Sequence, residues 1–363
     1  MSKSVIRRAL QGFQAYTPGE QPPDGEGWVK LNTNESPLPP SPRVIEAIKA
    51  AATDSLRLYP SPTAQPAREA IARRFELEPS QVIVGNGGDE LIEMCFRAFA
   101  GAGDTVAYPT PTYPLLEPLC RMHEAEPSTH PTELPWELPP GLGPDPAPLK
   151  FIVNPNSPTG ALFPMPDVES VVAVSSGVVA IDEAYVDFAP QSCLPLLEHH
   201  ENVVLLRTFS KSYGLAGLRI GFALGPRDVI EALSSVKDSY NVDRLAIAAA
   251  VAAIEDEDHH RELVEEVIKN RGELARALAE MEFDLVPSAT NFIFAKPPKA
   301  AAAVVAGLRE RKILVRHYDR EPIAGWVRIT VGTREQHETL IAALKEILRA
   351  HPPGTRRGSS SRR

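Results

Sequence analysis

Residues 203–221 read VVLLRTFSKSYGLAGLRIG, and the reading of this stretch decides the rest. Val203–Leu206 is a short apolar run with no alternation, the composition of a strand buried on both faces in a parallel sheet covered by helices. It breaks into Arg207-Thr208-Phe209-Ser210-Lys211, which puts a hydroxyl and an amine just past the carboxyl end of a strand. In open α/β sheets ligands bind at that edge. A lysine drawn into such a place loses hydration, so its pKa falls and the neutral amine can attack a carbonyl. Arg219, eight residues on, can close on an anion with a two-pronged guanidinium fork. Taken singly, either residue is ordinarily a solvated surface charge.

On both sides of this stretch, similar Val/Ile-rich runs stand at 82–84, 105–108, 151–153, 178–181 and 220–224, each closed by glycine, proline or a polar turn. With helical stretches between several of them, they predict a mostly parallel α/β core over 46–285. The apolar spacing over 263–281 predicts an amphipathic helix. After Pro287, strand candidates at 291–295, 313–316 and 326–331 accompany helical segments at about 299–311 and 334–349. They predict a smaller α+β domain over 286–350, completed by an N-terminal arm within 1–45. The aperiodic, basic HPPGTRRGSSSRR of 351–363 is expected to be a disordered tail.

Composition narrows the function classes. The formal charge is 38 − 47 = −9, which argues against a chain that wraps nucleic acid or lies on anionic lipid. No stretch reaches the roughly 18 apolar residues that span a bilayer, and the N-terminus lacks the apolar segment of a signal peptide. A cytosolic protein with small-molecule partners is expected, with no membrane or nucleic-acid partner. Cys95, Cys120 and Cys193 have no CxxC spacing and the histidines no HExxH pattern, so no metal is expected. Proline is the outlier, at 36 residues against an ordinary usage of about 5%. Eight of these lie between Pro127 and Pro148 and none between Pro226 and Pro287. The first of those regions is predicted to be an extended surface connection that touches no motif.

Four further motifs follow strand candidates. Gly85-Asn86-Gly87-Gly88-Asp89-Glu90 opens a helical stretch; amides there can bind a phosphate, although a plain strand-to-helix turn looks the same. Pro109-Thr110-Pro111-Thr112-Tyr113-Pro114 stiffens the backbone around Tyr113, which reads as a stacking platform or as a packed core aromatic. Asn154-Pro155-Asn156-Ser157-Pro158-Thr159-Gly160 is a proline-held turn that presents amide and hydroxyl groups. In Ile181-Asp182-Glu183-Ala184-Tyr185, the carboxylate of Asp182 ends an apolar run and needs a cationic or N–H partner. A phosphate cradle, an aromatic platform, an amide turn, a strand-end carboxylate, a lysine and an arginine together meet the needs of one cofactor, pyridoxal phosphate. Its aldehyde calls for Lys211 and its ring nitrogen for Asp182. Its ring oxygen calls for Tyr185 and an Asn of the 154–160 turn, its ring face for Tyr113, and its phosphate for Gly88, Asp89, Ser210 and Arg219.

NPNSPTG, IDEAY, TFSKSYGLAGLRIG and VRITVGT resemble the fold-type I aminotransferases, over nearly all of the chain except the tail. YTPGE (16–20), LNTNESPLPPSP (31–42), RLYP (57–60) and VRITVGTRE (327–335) are most similar to the histidinol-phosphate aminotransferases. The resemblance implies an aspartate-aminotransferase-like fold, with a large domain built on a mostly parallel seven-stranded sheet flanked by helices and a smaller α+β domain. It implies that Lys211 bonds the cofactor and moves the substrate proton, with Asp182 and Tyr185 beside it. It implies a homodimer in which Tyr59 reaches the partner's cofactor phosphate. Arg328 and Arg316 would bind the anionic end of the substrate, Tyr16 would cover the site, and Asn291 would hydrogen-bond nearby. Many relatives have Asn where this chain has Ser157, so Ser157 or Asn156 takes the contact to the ring oxygen. The implied reaction is amino transfer between histidinol phosphate and 2-oxoglutarate. Alternatives are an aromatic amino-acid aminotransferase, a threonine-phosphate decarboxylase, or a non-catalytic sensor that binds pyridoxal phosphate.

Overall fold

Two sheets organise the chain, whose computed structural model describes residues 5–23 and 26–349; the tail predicted at 351–363 lies outside the described residues. The strands are β1 (Val29–Leu31), β2 (Val82–Gly85), β3 (Thr105–Thr110), β4 (Glu126–Pro131), β5 (Leu149–Val153), β6 (Val178–Asp182), β7 (Val203–Thr208), β8 (Gly221–Leu224), β9 (Asp284–Leu285), β10 (Phe292–Lys296), β11 (Ile313–His317) and β12 (Val327–Thr330). The helices are α1 (Pro42–Ala51), α2 (Gln65–Arg74), α3 (Gly88–Phe99), α4 (Leu116–His123), α5 (Met165–Val174), α6 (Arg227–Val236), α7 (Arg244–Glu255), α8 (Glu257–Ala279), α9 (Ala301–Glu310) and α10 (Arg334–Arg349).

The larger sheet has the order β2-β8-β7-β6-β5-β3-β4. Its strands run parallel except β8, which is antiparallel to both β2 and β7. Both faces are covered, and this explains why the strand sequences do not alternate. Val179, Ile181, Val203 and Leu205 pack into one apolar core with residues of α2, α5 and α7. Their neighbours Ala180, Val204 and Leu206 pack into another with residues of α3, α4 and α6.

The smaller sheet has the order β1-β11-β12-β10-β9, with β1 parallel to β11. Arm residues therefore supply an edge strand to a sheet made otherwise from the last quarter of the chain. The helix read over 263–281 begins earlier, at Glu257, and ties the two sheets together. Leu263 and Val267 pack beside Tyr185 and Phe292, while Leu274 and Leu278 enter the core of the smaller sheet.

The proline-rich region departs from its reading as a surface connection. Glu126–Pro131 is the seventh strand, paired with β3 at the sheet edge, where an edge tolerates prolines that a central strand would not. Beyond it Trp136, Leu142 and Ala147 are buried. Trp136 clusters with Ala161, Phe294, Tyr318 and Trp326, so this segment packs against the residue that follows the NPNSPTG turn and against the smaller sheet. Proline forbids a helix interior here, but burial was decided by the tryptophan.

Candidate active site

The antiparallel β8 sets the geometry of the site. Because it reverses between β2 and β7, the carboxyl ends of β2, β7, β6, β5 and β3 share one edge with the start of β8, just after Arg219. A cavity of about 430 Å³ opens there, and its wall holds Gly88, Asp89, Tyr113, Ser157, Asp182, Tyr185, Ser210, Lys211 and Arg219, with Tyr16, Arg316 and Arg328 opposite. A wider groove of about 1060 Å³ lies beside it along the arm and α4. That groove shares Tyr16 and Arg316 but contains neither Lys211 nor Asp182, so the residues singled out in the sequence gather in the smaller cavity.

The Lys211 amine donates to the Thr33 carbonyl, at 3.4 Å. Burial, with Arg328 and Arg219 nearby, lowers its pKa to about 8, so a usable fraction is neutral near physiological pH. Asp182 is buried at the end of β6 and accepts one hydrogen bond, from the Ala184 amide at 3.0 Å. Among the described residues no cation forms an ion pair with it, and burial raises its pKa to about 7 against the opposing pull of Lys211. A strand-end carboxylate in that condition fits a protonated ring nitrogen, which would supply the missing positive partner. Pyridoxal phosphate therefore suits the residues present. Tyr185, whose pKa is also raised by burial, lies with its ring 5.8 Å from the Lys211 nitrogen.

The contacts at the start of α3 are equally specific. Arg219 donates to Ser210 Oγ at 3.2 Å and stands 3.6 Å from Asp89, at the first turn of α3. Gly87 has φ +86, and a Cβ there would lie 2.8 Å from the Arg219 guanidinium. The glycine thus meets both a backbone and a space requirement. Tyr113 donates to Asp89 at 3.0 Å and meets the Tyr16 ring edge-on at 5.7 Å.

On the opposite wall, Arg328 donates to Ser157 Oγ at 3.3 Å and to the Asn32 carbonyl at 3.0 Å, while its buried Nε has no partner among the described residues. Arg316 donates to the carbonyls of Thr17 and Pro18. Both guanidiniums lie over the Tyr318 ring, at 5.4 and 5.8 Å. Among the described residues neither has a carboxylate partner, which leaves two positive charges for an anionic ligand.

Three residues singled out in the sequence stand off this cavity. Asn156 is buried behind the wall and donates to the Pro111 carbonyl and Thr159 Oγ1, so it is Ser157 that faces the cavity. Asn291 is wholly buried and donates to the Asn34 carbonyl; it supports the site from behind. Tyr59 is 78% exposed and stacks on Tyr240 at 4.5 Å, because its loop lies on the outside of this chain. Conversely, Asn32, Thr33, Asn34 and Glu35 line the cavity although no chemistry in the sequence marked them. The signal was the LNTNE motif, which points to a function only through resemblance.

Residues 26–344 match the family Aminotransferase class I and II. A histidinol-phosphate aminotransferase of Aromatoleum aromaticum is 46% identical, covering 94% of this chain and 98% of the relative. One from Bradyrhizobium diazoefficiens is 45% identical, covering 93% and 98%. Among solved structures, the histidinol-phosphate aminotransferase from Sinorhizobium meliloti in complex with pyridoxal-5'-phosphate superposes with a TM-score of 0.86 at 28% identity, over 96% of this chain and 98% of that one. Aspartate aminotransferase from Thermotoga maritima shares the fold, with a TM-score of 0.81 at 20% identity over 95% and 100% of the two chains.

Proposed function

This chain belongs to the class I and II aminotransferases, and from that premise we propose that it moves an amino group between L-histidinol phosphate and 2-oxoglutarate, with pyridoxal phosphate as cofactor. One observation carries the reading: two guanidiniums with no carboxylate partner among the described residues share a cavity of about 430 Å³ with Lys211 and Asp182. An amine, an acid and an anion clamp thus meet within the reach of one small phosphorylated substrate. When bound, pyridoxal phosphate supplies an aldehyde that takes up an amino group and a ring that withdraws electrons from the adjoining carbon.

The chain's residues do the rest. The main-chain amides of Gly88 and Asp89 at the start of α3, with Ser210 and Arg219, would hold the phosphate. Asp182 would hold a proton on the ring nitrogen, Tyr185 and Ser157 would address the ring oxygen, and Tyr113 would lie against the ring face. Lys211 Nζ, with its lowered pKa, takes the proton from the substrate α-carbon and gives it up again. Arg328 and Arg316 hold the anionic end of the substrate, and Tyr16 closes the arm over it to exclude water. We also propose a cytosolic homodimer in which Tyr59 completes the partner's site.

Steady-state assays with histidinol phosphate, phenylalanine and threonine phosphate test the substrate. The kcat/KM for histidinol phosphate should exceed the others by about 100-fold or more, and a reversed order would assign the chain to aromatic or decarboxylating chemistry. Lys211→Ala should abolish turnover and the visible absorption of bound cofactor together.

A further inference from the structure

Tyr185 is one of the groups that the cofactor reading sends to the ring oxygen, and a hydroxyl has one proton to give and two lone pairs to receive with. Which way that proton points is decided by residues far from it in the chain. Asn34 Nδ2 donates to the Tyr185 oxygen at 2.9 Å. The main-chain N–H of Asn34 donates to Thr330 Oγ1 at 3.0 Å, and the Thr330 hydroxyl donates back to Asn34 Oδ1 at 3.1 Å. The Asn34 carbonyl is occupied in turn by Asn291 Nδ2, at 3.0 Å. Asn34, Asn291 and Thr330 are all buried.

An asparagine side chain can turn over and exchange its donor and acceptor ends. Here it is locked: turned over, it would present Nδ2 to Thr330 and take from the buried Thr330 hydroxyl proton the acceptor it now has, a costly state. The locked orientation offers Tyr185 only a donor. The Tyr185 proton must then point away from Asn34, toward Ser157 and the cavity.

We infer that Asn34 and Thr330 are positioning residues that aim the Tyr185 hydroxyl proton at the cofactor's ring oxygen. Thr330 lies on β12 two residues from Arg328, so both point to the same face of that strand. One strand of the smaller sheet therefore addresses the anion clamp and the Tyr185 hydroxyl. The inference rests on the pyridoxal phosphate reading given above.

A donor on the ring oxygen favours the form in which that oxygen carries negative charge, so it lowers the pH at which the visible band of the bound cofactor titrates. Thr330→Val frees the Asn34 side chain to turn over, and Asn34→Asp places an acceptor against Tyr185; each takes the proton away from the ring. Either change should raise the titration midpoint of the loaded enzyme by about one pH unit, the scale of one hydrogen bond to a charged oxygen. Thr330→Ser, which keeps the hydroxyl, should titrate as the unaltered enzyme does. In a Tyr185→Phe background Thr330→Val should add no shift.

An unchanged midpoint in either folded variant overturns the inference, as does a Thr330→Ser shift equal to that of Thr330→Val or a Thr330→Val shift that persists without the Tyr185 hydroxyl. If Thr330→Val does not fold, the near-isosteric Asn34→Asp decides alone. Absence of any visible band in the unaltered protein would overturn the cofactor reading instead, so the two failures are distinct.

Discussion

Arg207 and Glu183 form a buried two-pronged ion pair, with the guanidinium Nε and Nη2 donating to Glu183 Oε2 at 3.0 and 2.8 Å. The other carboxylate oxygen accepts from the Cys193 amide and Ser192 Oγ, and the guanidinium lies over the Phe75 ring at 4.7 Å. Glu183 follows Asp182 and Arg207 leads into Ser210 and Lys211, so the pair ties together two strand ends of the proposed site. Glu183→Ala strands the arginine in the interior and should cost about 3–5 kcal/mol in denaturant unfolding. Adding Arg207→Met should recover at least half of that loss, because both charges are then gone.

Lys211 should react as a partly neutral amine. In the cofactor-free protein its labelling by an amine-selective reagent, followed by peptide mass spectrometry, should reach half-maximum near pH 8 and not near the 10.4 of an ordinary lysine. Arg328 contributes to that depression, so Arg328→Gln should move the midpoint upward.

Arg328→Lys keeps the positive charge and loses the planar fork. If the fork binds the anionic end of the substrate, KM for the phosphorylated donor should rise roughly 10–100-fold while kcat changes little. An equal fall in kcat and kcat/KM would place the residue at the reacting centre instead.

His337 gives the fold an acid limit. It is buried, and its Nε2 accepts from the Gly332 amide at 2.8 Å, which requires the neutral ring; burial lowers its pKa to about 4. The unfolded ring titrates near 6.5, so between those values the unfolded state binds more protons and stability drops as the pH is lowered. The loss should begin as pH drops below about 6.5 and level off near 4, amounting to about 3 kcal/mol. His337→Gln should flatten the unfolding-versus-pH curve within this window.

Leu56, Leu58, Tyr59 and Tyr240 are exposed together, which suits the proposed interface with a second copy. Sedimentation should give twice the 39.5 kDa chain mass. Mixing Tyr59→Ala with Lys211→Ala subunits tests the crossing directly. A mixed dimer then has one intact site, and about a quarter of full activity should return. No recovery would confine Tyr59 to its own chain.

Much of the site was legible because its chemistry is local to each strand end. Ser210, Lys211 and Arg219 sit within ten residues of one another, and Asp182 and Tyr185 within four, so an apolar run followed by polar groups announces each set. What was missed has a different origin. The strand at Glu126–Pro131 looks unlike a strand because its prolines are tolerated only at the edge where it lies.

By itself the sequence determined a helix-covered, mostly parallel sheet with Lys211 at its carboxyl edge, since burial on both faces writes itself into continuous apolar runs. Only the tertiary structure decided that Ser157 and not Asn156 faces the cavity, and that Trp136 is buried. It also decided that Asn34 reaches Tyr185 under the hold of Thr330. Asn34 and Thr330 are separated by 296 residues of chain. Hydrogen-bond direction between such residues is a property of packed space, where every buried donor must find an acceptor, and no local pattern records it.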